Sequence, residues 1–134
     1  MMQILQPPGW ARAKGFSNGI AAKGKLVFIA GQIGWTPQCE WKETSFAGQF
    51  RQALENILSI LAEAGGRPEH IVRLTWYLLD KNEYLKSLKE VGAHYRSLMG
   101  KHYPTMAVLQ VGGLVEGEAR LEIEATAVVP EETT

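Results

Sequence analysis

Glu122 stands in the middle of an alternating apolar segment, Leu121-Glu122-Ile123-Glu124-Ala125. A carboxylate taken out of water must find a partner or hold its proton, and such a group is a candidate general acid or base. The competing account is an ion pair with Arg73, across the sheet or across an interface. The sequence leaves both open. Other chemistry-bearing residues are weaker candidates. His70, His94 and His102 have no i, i+4 partner among themselves and no neighbouring cysteine, so they read as surface or capping histidines and no metal site is expected. Cys39 sits in a polar loop with no adjacent base or cation to lower its pKa, which argues against a nucleophile. Gly31 to Gly34 and Gly112-Gly113 do not have phosphate-cradling spacing. Gly31 in a strand suggests a bulge or a place where a ligand approaches the backbone. Trp10, Trp35, Trp41 and Trp76 suit a core or an interface, because few cations are interleaved with them as a base-stacking platform requires.

Composition narrows the classes further. The chain has 134 residues, the size of one domain. Its 14 Lys and Arg balance 14 Asp and Glu, so no net charge attracts nucleic acid or an anionic membrane. A single cysteine excludes an intrachain disulfide. The N-terminal residues lack a cationic segment followed by an apolar run, and no apolar stretch reaches the ~20 residues of a bilayer span. The expectation is one cytoplasmic domain over residues 1–134, with an extended lead-in at 1–15 and a tail at 130–134.

The elements that must position these residues follow from periodicity. Residues 17–22 and 26–33 are apolar runs separated by Lys23-Gly24-Lys25, which reads as a β-hairpin. Residues 36–43 read as a loop with room for a short strand around Trp41. Phe46, Phe50, Ala53, Leu54, Ile57, Leu58, Leu61 and Ala64 recur at three- and four-residue steps, one helical stripe that Gly65-Gly66 and Pro68 end. Residues 71–79 are β-branched and aromatic, a central strand. Asp80 and Glu83 open a second helix carrying Tyr84, Leu88, Val91, Tyr95 and Leu98, stopped by Gly100. Residues 106–114 and 120–129 read as strands. The expected fold is α+β: a six-stranded mixed sheet, order β-β-β-α-β-α-β-β, with both helices on one face.

The other sheet face should not be bare. Leu26, Phe28 and Ala30 alternate with Val27 and Ile29, and Arg73, Glu122 and Glu124 fall among large apolar groups. A solvated face is more cleanly polar than this. The mixture suits burial against copies of the same chain, with clefts where polar side chains meet.

Phe16-Ser17-Asn18-Gly19-Ile20, Phe28-Ile29-Ala30-Gly31-Gln32-Ile33, Gln52-Ala53-Leu54-Glu55-Asn56-Ile57 and Leu121-Glu122-Ile123-Glu124-Ala125 follow one another along the chain. Together they resemble the reactive intermediate deaminase A family, also called the YjgF/YER057c/UK114 or L-PSP endoribonuclease family, from about residue 15 to 129. The resemblance implies a chorismate-mutase-like fold assembled as a homotrimer with ligand clefts between subunits. It implies hydrolysis of enamines and imines to a keto acid and ammonia, without a cofactor, with an arginine holding the substrate carboxylate and a glutamate moving the proton.

Three positions depart from the family pattern. Met106, in Pro104-Thr105-Met106-Ala107, stands where the family has the arginine; Ala30 replaces its serine and Phe16 its tyrosine. Gly31, Gln32 and Glu122 remain. A thioether cannot pair with a carboxylate, and losing a buried charged hydrogen bond costs several kcal/mol of binding. The altered site is therefore expected to take a larger or less anionic ligand. Its contacts would come from Phe16, Ala30, Gly31, Trp35, Met106, Ala107, Val108 and Gln110, with Trp10 a further candidate and Glu122 as the proton carrier. The alternatives are a non-catalytic trimeric small-molecule-binding protein and, behind it, the endoribonuclease or translation-inhibitor activity, which the neutral charge disfavours.

Overall fold

The computed structural model describes residues 2–131. Among these residues six strands and three α-helices run β1 (Met2–Leu5), β2 (Gly19–Ala22), β3 (Lys25–Ile33), α1 (Phe46–Ala62), β4 (Ile71–Leu78), α2 (Lys81–Lys86), α3 (Leu88–Met99), β5 (Thr105–Gln110) and β6 (Leu121–Val129). β3, β6, β4 and β5 form a mixed sheet in that order, parallel only between β4 and β5. The α2–α3 segment supplies the crossover that a parallel pair requires.

Several expectations need correction. The six strands make two sheets, not one, because β1 pairs with β2 separately. The lead-in therefore contains a strand, and the expected hairpin is absent: β2 turns to β1 while β3 pairs with β6. No strand forms around Trp41. The second helix breaks at Ser87 into α2 and α3, and β5 stops at Gln110, short of Gly112-Gly113.

α1 forms where its stripe predicts. Ser45 caps it by accepting from the Gly48 N–H, and Gly65, at φ 75°, turns the chain at the other end. Phe50, Ala53, Leu54, Ile57 and Leu61 are all fully buried against the sheet. Burying each of the large ones contributes about 1.5–3 kcal/mol. Val91, Tyr95 and Met99 of α3 join the same core, beside Leu74, Trp76, Leu78, Leu121 and Ile123. Asp80 accepts from the Asn82 N–H and so starts α2 as expected. A register shift between Ile71 and Arg73 sends Ile71 into the core, so it leaves the outer face that strict alternation gives it.

The face away from the helices stays open in the protomer. Phe28 is 75% exposed and Leu26 61%, with Arg73 and Glu124 also exposed on that side. Among the described residues no helix is long and apolar enough to cross a membrane.

Candidate functional site

Met106 and Val108 point to the helix side of the edge strand β5, in register with Leu74 and Trp76 of β4. They form one wall of a cavity of about 400 Å3, whose other walls include Phe16, Trp76, Tyr84, Tyr95 and Tyr103. Phe16 is brought there by its neighbour: the Ser17 N–H donates to the Pro104 carbonyl (3.1 Å) and the Ser17 hydroxyl to the Tyr103 carbonyl. The preceding loop is thus stitched to the strand that carries Met106. Tyr103 stacks on Tyr95 at 5.1 Å, and Trp76 meets Tyr84 edge-on at 5.8 Å. Burial pushes the Tyr95 hydroxyl well above the usual phenol range, and it donates to the His102 carbonyl (2.5 Å). The Trp76 indole N–H is buried with no acceptor, alone in this among the described residues.

Glu122 lies elsewhere, on the sheet's open face. It is half-buried, opposite Tyr77 in register, and lines a shallow depression with Val111, Gly113, Leu114 and Val115. Its carboxylate occupies the space that a side chain at Gly31 would need. Gly31 sits in the register shift between Ile29 and Gln32, the bulge expected of this glycine. Across the sheet of one protomer the Arg73 ion pair does not form: Arg73 pairs in register with Thr126, and Glu122 has no salt bridge among the described residues. Tyr77 instead donates to Glu124 (2.7 Å), which raises its pKa above the usual phenol range, first through that hydrogen bond.

The other expected contacts scatter. Ala30 is exposed on β3, while Ala107 faces a second depression with Thr105, Arg73 and Phe28. Gln110 shares the Met106 face, but its Oε1 accepts from the Lys81 N–H at the start of α2 (2.9 Å). Trp35 packs on Trp41 at 5.7 Å, away from either site, and Trp10 is exposed. His70 Nδ1 accepts from the Arg67 N–H, His102 Nε2 donates to the Ile71 carbonyl, and His94 meets Arg51. Cys39 is exposed in the loop that Thr36 organises. Within one protomer, then, Phe16, Met106 and Val108 come together, Gly31 and Glu122 come together, and the two groups share no cavity.

Three polar residues of consequence escaped the sequence reading. Gln49, 2% exposed, donates to the Glu43 and Glu118 carbonyls and accepts from the Arg120 N–H. Asn56 donates to the Trp35 carbonyl (2.8 Å) and so fixes the chain leaving β3. Both lie on the apolar stripe of α1, which is the signal that could have found them. Arg96 lines the Met106 cavity, and nothing in its local sequence distinguishes it from a solvated helix residue.

A family model described as Endoribonuclease L-PSP matches residues 9–129. A RutC family protein of Pyrococcus horikoshii is 37% identical over 113 residues, 84% of this chain and 85% of that one. A 2-iminobutanoate/2-iminopropanoate deaminase of Homo sapiens is 32% identical over 105 residues, 78% of this chain and 73% of the human protein. A crystal structure of YyfB from Yersinia pestis, a protein of unknown function in the conserved Rid family, superposes with a TM-score of 0.83 at 27% identity, covering 96% of this chain and 98% of that one. The likeness thus extends over both candidate sites.

Proposed function

This chain belongs to the endoribonuclease L-PSP family, and from that premise we propose that it is an imine and enamine deaminase whose pocket has been made more apolar around Met106. The observation that carries the reading is Glu122, a mid-strand carboxylate without an ionic partner among the described residues, seated over Gly31. In such a reaction water adds to the C=N carbon, a proton passes to nitrogen, and ammonia leaves as the carbonyl forms. A carboxylate beside the bond can take the proton from water and return it to the leaving nitrogen.

The reading requires more than one protomer, since Glu122 and Met106 lie in separate places on one chain. A homotrimer that buries the open sheet faces would bring the Glu122 face of one chain to the Met106 edge of the next. The 75% exposure of Phe28 supports that burial. No cofactor is required by this chemistry, and a cytoplasmic setting suits a reactive imine made by other enzymes.

The test uses the purified full chain with an amino-acid oxidase that makes imines in situ. Ammonia release should accelerate with wild type and not with Glu122→Gln. No acceleration across a broad amino-acid panel sinks the enzyme and favours the second reading, a trimeric small-molecule-binding protein, for which Met106 at the family's arginine position speaks.

A further inference from the structure

The cavity around Met106 has a cation of its own. Arg96, in the last turn of α3, lines it, and Lys14 stands at its rim. Among the described residues no Asp or Glu lines the cavity. Arg96, like Arg12 and Arg73, has no ion pair among the described residues. Its guanidinium lies back over Gly92, one turn earlier, where a Cβ would stand 3.1 Å from Nη1. A positive, partly apolar cavity without internal counter-charge fits an organic anion.

The walls specify the rest of the ligand. Phe16, Trp76, Tyr84 and Tyr103 present aromatic surface, and about 400 Å3 exceeds what a three-carbon acid fills. We infer that Arg96 is the carboxylate anchor of this protein, in place of a guanidinium at position 106, and that the ligand is an aromatic 2-imino acid. The imine rests on the deaminase reading; the ring and the carboxylate rest on the cavity alone.

Phenylpyruvate is the stable probe, with pyruvate as the small anion and phenylacetone as the neutral ring, each titrated into the full chain by calorimetry. Phenylpyruvate should bind at least ten-fold more tightly than either. Arg96→Gln should weaken it at least ten-fold, Arg96→Lys should recover part of that loss, and Lys89→Gln, on the same helix outside the cavity, should change nothing. Failure of phenylpyruvate to bind wild type, or equal binding to Arg96→Gln, overturns the inference. Ammonia release measured in parallel separates the two proposals. Release that ignores Arg96 keeps the deaminase and removes the anchor. Arg96-dependent binding without release from any imine keeps the anchor and removes the deaminase.

Discussion

The Glu122 carboxylate lies directly over Gly31, in the volume that a β-carbon at position 31 would occupy. Not only its terminal oxygen but also Cδ and Cγ stand within 3 Å of that point, so rotating the carboxylate does not relieve the overlap. Gly31→Ala should therefore move the whole side chain, at a cost of about 1–3 kcal/mol in denaturant stability. If Glu122 is the proton carrier, ammonia release should fall in this variant as it does in Glu122→Gln, which leaves the backbone undisturbed. Unchanged release in Gly31→Ala would mean that the seating of Glu122 is immaterial.

Gln49 satisfies three backbone groups from inside the core, and a leucine of similar volume would satisfy none. Gln49→Leu should cost about 1–3 kcal/mol for each group that stays dry. A urea midpoint close to wild type would show that water replaces the amide.

The sequence made α1 legible because the apolar positions from Phe46 to Leu61 recur at helical spacing and nothing competes. It misled at β2. Lys23-Gly24-Lys25 is adequate turn chemistry, yet β2 finds its partner in Met2–Leu5, a short segment with a single polar residue and no alternation to announce it. Glu122 and Met106 were visible as anomalies in their own strands. Arg96 was not, since an exposed arginine on a helix is ordinary. Only the crossover that lays α3 beside β5 brings it to Met106, and that is a tertiary fact.

Ultraviolet titration should find two tyrosines above the ordinary range. Tyr95 is raised by burial and Tyr77 by its hydrogen bond to Glu124. Glu124→Gln should lower Tyr77 alone. A raised folded pKa favours the native state fully below the unfolded value near pH 10, and this contribution is lost as pH rises through the folded value. Stability should accordingly decline on the alkaline side, with Tyr95 ionising only as the chain unfolds. A Tyr95 that titrates reversibly in the folded protein near pH 10 would contradict its burial.

Phe28→Glu places a charge on the face proposed to be buried between chains. Light scattering should give about three times the 14.8 kDa protomer mass for wild type and a smaller species for the variant. Because Phe28 is 75% exposed in the protomer, the fold itself should survive. A wild-type mass of one protomer would remove the trimer, and with it the meeting of Glu122 and Met106.

Gly92 occupies the interior of α3, where glycine costs about 0.5–1 kcal/mol relative to alanine. Its carbonyl and N–H need no unusual conformation there, and an added methyl would meet only the Arg96 guanidinium, at 3.1 Å from Nη1. That contact is tight but lies at the end of a flexible side chain, so Arg96 should shift by a few tenths of an ångström while the helix gains. Gly92→Ala is thus expected to raise the denaturant midpoint, by no more than about 1 kcal/mol, and to weaken phenylpyruvate binding in the same protein. The two effects have opposite signs, which a general loss of structure could not produce. Stabilisation with unaltered binding would show that the guanidinium does not need the surface Gly92 provides.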